Sequence, residues 1–105
     1  MPKFIMLNDQ FMQERKDTIM VAIRTGVSNV LDNYRQNHPD VIVLAFNTLT
    51  TEDIIKNAWE DMLEKAKNPT EVSRDWFIRR AEVVAFCMIE KECSEGKKSA
   101  IEGTV

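Results

Sequence analysis

The sequence predicts an all-α fold, a compact bundle of three long helices with a short buried element at 39–48. Three observations carry that prediction. The 105 residues are 44% apolar and 30% charged, the balance of a globular domain and not of a disordered segment or a membrane span. Glycine and proline number three each, too few for the many tight turns of a sandwich or barrel. Apolar residues also recur with a helical period in three long stretches. The alternative is an α+β fold in which 3–7 and 41–46 pair as a small two-stranded sheet. Residues 1–96 are expected to form a single helical domain, and 97–105 a flexible C-terminal tail.

The first predicted helix runs from Asp9 to Asn37. Met12, Ile19, Ile23, Val27, Val30 and Tyr34 fall on one stripe, and Gln10, Glu14, Asp17, Arg24, Ser28, Asp32 and Arg35 on the opposite face. Val21 is apolar on the polar side. Gly26 lies inside the stripe, where it costs about 1 kcal/mol relative to alanine, so a second helix is expected to approach closely there. Pro39 ends the helix, because its ring disfavours helical geometry at His38.

Val41 to Phe46 is a continuous apolar run that suits a buried strand or a buried helix. Pro39-Asp40 in front of it is a good helix start, and a two-stranded sheet is marginal, so the helix is preferred.

Thr50 and Thr51 open the second long helix, with Glu52 and Asp53 in its first turn, where carboxylates suit the positive end of the dipole. Ile54, Ile55, Ala58, Trp59, Met62, Leu63 and Ala66 form its seam. Glu52–Lys56 and Asp61–Lys65 are spaced as i,i+4 ion pairs.

Asn68-Pro69-Thr70-Glu71 has the form of a cap, a first-turn proline and an N3 carboxylate, which predicts a third helix from there to Ser94, stopped by Gly96. Trp76, Phe77, Ala81, Val83, Val84, Cys87 and Met88 cover one broad side of it, extended by Ile78, Ala85 and Ile89, while Phe86 points away. A helix so apolar must be central in the fold or buried against a second chain.

Fourteen Lys and Arg against seventeen Asp and Glu give a net charge of -3, whereas nucleic-acid binders ordinarily carry a basic surplus. The longest apolar run, Val83 to Ile89, has seven residues, far short of the roughly 20 a bilayer span needs. The opening residues lack the core and cleavage site of a secretory signal, so the expected location is cytoplasmic. Cys87 and Cys93, on one helix, would stand about 9 Å apart along its axis, beyond the roughly 7 Å a disulfide tolerates. Both are expected to be free thiols, with Cys87 in the core.

No motif of catalysis or ligation stands out. His38, the sole histidine, sits in Asn37-His38-Pro39-Asp40 and is read as a turn residue. The glycines are isolated, and the acidic pairs suit solvated helix faces. The expectation is therefore a protein that is not an enzyme, with no metal and no cofactor.

Two features suggest binding. Arg74, Trp76, Phe77, Arg79 and Arg80 combine the residue types enriched at interface hot spots and are the candidate partner-binding residues. The plainer reading puts both aromatics in the core and pairs the arginines with Glu71, Asp75 and Glu82. The third helix also carries more apolar surface than a small bundle can cover, which favours a homodimer. The predicted function is a small cytoplasmic protein–protein interaction module, an adaptor, inhibitor or regulatory subunit that docks a helix face on a partner protein. The alternative is a helix-turn-helix DNA-binding regulator.

Overall fold

The computed structural model describes residues 4–103, and side chains through residue 95. It is a mostly helical bundle carrying a small antiparallel sheet, in the order β1 (Phe4–Leu7), α1 (Asp9–Glu14), α2 (Lys16–Asn37), α3 (Pro39–Ala45), α4 (Thr51–Ala66), β2 (Thr70–Ser73) and α5 (Trp76–Gly103). The three long helices α2, α4 and α5 enclose one core, in which Leu7, Met12, Ile23, Ile54, Met62 and Ile89 are fully buried. The body measures 27 by 18 Å in cross-section and 58 Å in length.

The predicted stripe of the first helix is buried largely as expected. Ile19, Ile23, Val27 and Tyr34 lie inside, and Val21 is 65% exposed. At Gly26 the backbones of α2 and α5 come close together. A Cβ there would sit 2.5 Å from the carbonyl oxygen of Ile78 and 2.9 Å from the Cβ of Ala81. The helix is not continuous, however. It breaks at Arg15, which ends α1 and begins α2 with φ -114° and ψ 22°. The break lets α1, capped by the Asn8 side chain accepting from the Phe11 amide at 2.8 Å, turn Phe11 onto Phe77 with ring centroids 5.9 Å apart.

The run at 41–46 is helical, in α3, with Pro39 at its start. It is less buried than expected: only Ala45 is fully inside and Val43 is 74% exposed. A strand does form near the N-terminus, but its partner is not 41–46. β1 pairs with β2, with Ile5 opposite Val72 and Leu7 opposite Thr70. The helix expected from Thr70 is thus corrected to a strand followed by a helix from Trp76. Val72 gains burial on the inner face of the sheet, and the strand's β-branched Thr70 and Val72 suit that geometry.

α4 begins with a reciprocal capping box, Thr50 Oγ1 accepting from the Asp53 amide and the Asp53 carboxylate accepting from the Thr50 amide, both at 3.1 Å. Glu52 and Asp61 turn to other helices and not to the i,i+4 lysines. Glu52 pairs with Arg24 of α2 at 3.1 Å, and Asp61 with Arg80 of α5.

α5 touches α2, α3 and α4. Among its described side chains the buried ones are Phe77, Ala81, Ala85, Ile89 and Cys93, at strict four-residue spacing. Four residues are slightly more than one turn, so this line winds around the helix. The broad apolar side expected of the helix is corrected accordingly. Val83 is 47% exposed, and the core thiol is Cys93, while Cys87, expected inside, is exposed. Ala85 and Ile89, expected at the margin, are central. α5 also runs on to Gly103 past the stop expected at Gly96, and no described glycine adopts positive φ. Of the tail expected at 97–105, residues 104–105 lie outside the described residues.

Candidate functional site

The five residues singled out by sequence occupy different environments. Arg80 donates from Nε and Nη2 to the two carboxylate oxygens of Asp61, at 2.6 and 3.0 Å. Both side chains are under 30% exposed, so this bidentate pair straps α5 to α4. The hydrogen bond from Arg80 holds the Asp61 carboxyl below the usual aspartate range, and the same bond raises the guanidinium. Arg80 is therefore engaged within the fold. Trp76 stands edge-on to Phe77, centroids 5.2 Å apart, and is half-buried. Phe77 is buried. Arg74 and Arg79 are exposed, and neither makes an ion pair among the described residues.

Arg74 and Phe77 come together in a groove of about 500 Å³. β1 supplies Phe4 and Ile5, α1 supplies Phe11, α2 supplies Thr18, Ile19 and Ala22, and Arg15 comes from the break between the two helices. The aromatic rings and aliphatic side chains make an apolar lining, with the guanidiniums of Arg15 and Arg74 the charged groups among the lining residues. Phe4 is 62% exposed, and the adjacent outward residue of the strand, Met6, is 48% exposed. Such a site can hold an apolar side chain while two cations receive a carboxylate. Trp76, Arg79 and Arg80 do not line it.

Phe4, Phe11 and Arg15 are not among the candidates from sequence because nothing local marks them as part of a site. Phe4 is visible there only as part of an apolar N-terminal run, and Arg15 sits in a helical pattern with no proline or glycine to signal a break.

A second concavity, of about 360 Å³, lies between the end of α2 and the middle of α5. Val30, Asn33, Tyr34, Asn37, His38, Phe86 and Glu90 line it. Tyr34 donates to Glu90 Oε1 at 2.5 Å and stacks on Phe86 at 6.3 Å, and His38 tilts against the Tyr34 ring at 6.4 Å. Burial first, and then the carboxylate of Glu90, push the phenol pKa upward. His38 is thus the residue just beyond α2, beside an aromatic ring, as its place in the turn suggests. Among the described residues, no three His, Cys, Asp or Glu side chains gather as a metal site. The chain matches no protein-family model, no curated protein and no solved structure.

Proposed function

We propose that the chain is a small non-enzymatic interaction module that docks on a partner protein through the groove between β1, α1, α2 and the start of α5. The reading includes a cytoplasmic location and a homodimer, and it needs no cofactor. The observation that carries it is the groove itself, where an apolar lining open to solvent meets two arginines without ion-pair partners among the described residues. The occupant that fits is a protein segment presenting an apolar side chain beside one or two carboxylates. Burial of the apolar group supplies affinity, and the guanidiniums select acidic sequence. This moves the docking residues from the Arg79–Arg80 end of the candidate set to Arg74 and Phe77, joined by Phe4, Phe11 and Arg15.

The DNA-binding alternative draws less support. Helix-turn-helix units join their helices by a turn of about 3–4 residues. Here α4 and α5 are separated by residues 67–75, which include a strand. No described helix is long and apolar enough to cross a membrane.

A photoreactive phenylalanine analogue in place of Phe4 tests the reading in lysate of the native host. The expected result is cross-linking to one protein, absent when the analogue replaces Val43 and lost with Arg15→Glu/Arg74→Glu. Adducts insensitive to those charge reversals, or retention on duplex DNA that falls steeply with salt, would overturn it.

A further inference from the structure

The outward face of α5 is self-complementary. Arg79, Val83, Phe86 and Glu90 follow one another at spacings of four, three and four residues, the seam spacing of a helix that packs against another helix. All four are exposed, although Val83 and Phe86 are large and apolar, with 47% and 52% of their surface in solvent. α2 reaches the edge of this seam through Tyr34, which bonds Glu90 and stacks on Phe86, and the outer sides of Val83 and Phe86 stay in solvent.

The order of residues along the seam is positive, apolar, apolar, negative. Arg79 and Glu90 are eleven residues apart, about 16 Å along the axis, too far to pair within one helix. A second copy running antiparallel brings them together. Both Val83 with Phe86 and Arg79 with Glu90 straddle the same point, between Val84 and Ala85. A twofold axis through that point therefore sets Val83 against Phe86 of the second copy and Arg79 against its Glu90, each contact occurring twice. This is the condition an isologous interface must meet. A parallel copy would set Arg79 against Arg79 and Glu90 against Glu90.

The charged residues are placed to take part. Arg79 has no ion pair among the described residues. Glu90 receives the Tyr34 hydroxyl on Oε1, which leaves Oε2 to accept from a guanidinium. That hydroxyl bond and the Tyr34–Phe86 stack hold Glu90 and Phe86 in place.

We propose that the chain forms a twofold dimer by antiparallel pairing of α5 with α5 of a second copy, centred between Val84 and Ala85 and closed at both ends by Arg79–Glu90 ion pairs. The proposal rests on the homodimer reading above and gives it a face, a direction and a register. The apolar seam is short, so the dimer is weak and forms in a concentration-dependent way.

Sedimentation of the full chain over a range of concentrations provides the test, with helical circular dichroism confirming that each variant is folded. The wild type is expected to pass from monomer to dimer. Arg79→Glu and Glu90→Arg should each raise the dissociation constant about tenfold or more, since each sets like charges opposite one another. An equimolar mixture of the two single variants should recover a one-to-one dimer. At one end of that dimer the introduced carboxylate meets the introduced guanidinium, and at the other the native Arg79–Glu90 pair forms. The double variant, with the charges exchanged in one chain, should dimerise like the wild type and guards against a defect peculiar to Glu90→Arg. A dimeric wild type whose single variants still dimerise, or whose mixture and double variant both stay monomeric, overturns the register and leaves self-association standing. A wild type that stays monomeric at every concentration overturns both.

Discussion

Tyr34 is the only tyrosine in the chain, so its ionisation can be followed without interference. Burial and the Glu90 carboxylate both penalise the phenolate. The folded-state pKa is thus raised above the ordinary tyrosine value of about 10, and the protein loses stability as pH climbs past that ordinary value, because the unfolded chain releases its proton first. Tyrosinate absorbance should be absent at pH 10 and emerge only with alkaline unfolding; a half-titrated band in the folded protein would contradict the Tyr34–Glu90 contact. Gly26 invites a second measurement. Alanine is the better helix former by about 1 kcal/mol, yet its methyl group would meet a carbonyl oxygen of α5 that cannot move without shifting that helix. Gly26→Ala is expected to lower stability by about 1–3 kcal/mol in denaturant unfolding, and a gain in stability would show that α2 and α5 are not in such close contact.

Between elements, the Asp61–Arg80 strap is the best-formed polar link, with two hydrogen bonds and partial burial. Asp61→Asn should cost about 1–2 kcal/mol near neutral pH, more than a surface ion pair and less than a buried one. Because the folded-state pKa of Asp61 is depressed, its contribution is complete above the ordinary aspartate range and fades as pH falls through the lower value. Unfolding curves of wild type and variant should therefore converge in acid; a constant difference at all pH values would argue against the pairing. The elements themselves are legible in sequence to different degrees. α4 and most of α2 follow from apolar period and capping residues, and Gly26 announces its close approach. The break at Arg15 is invisible because it uses neither proline nor glycine. β2 reads as helix because Asn68-Pro69-Thr70-Glu71 has the local form of a helix start, whereas the pairing that makes it a strand comes from Phe4–Leu7, more than sixty residues earlier. The core thiol is misassigned because the buried line of α5 has a strict four-residue step, which hydrophobicity alone does not distinguish from a broader face.

Across the whole molecule, the two proposed binding surfaces are separate. The groove draws on β1, α1, α2 and the beginning of α5, and the self-complementary seam lies along the outward side of α5 from Arg79 to Glu90. They share no residue, so a twofold dimer would present two grooves and could engage two acidic segments at once. Of the groove, only Arg74 and Phe77 are visible as candidates in the sequence, because its walls come from segments that the fold alone brings together. That assembly has a consequence for synthesis. Phe4 leaves the ribosome about seventy residues before its strand partner Ser73 and the ring of Phe77 across the groove. The site cannot exist on a nascent chain that stops within α4, so the proposed partner would read chains complete through α5 and pass over shorter ones.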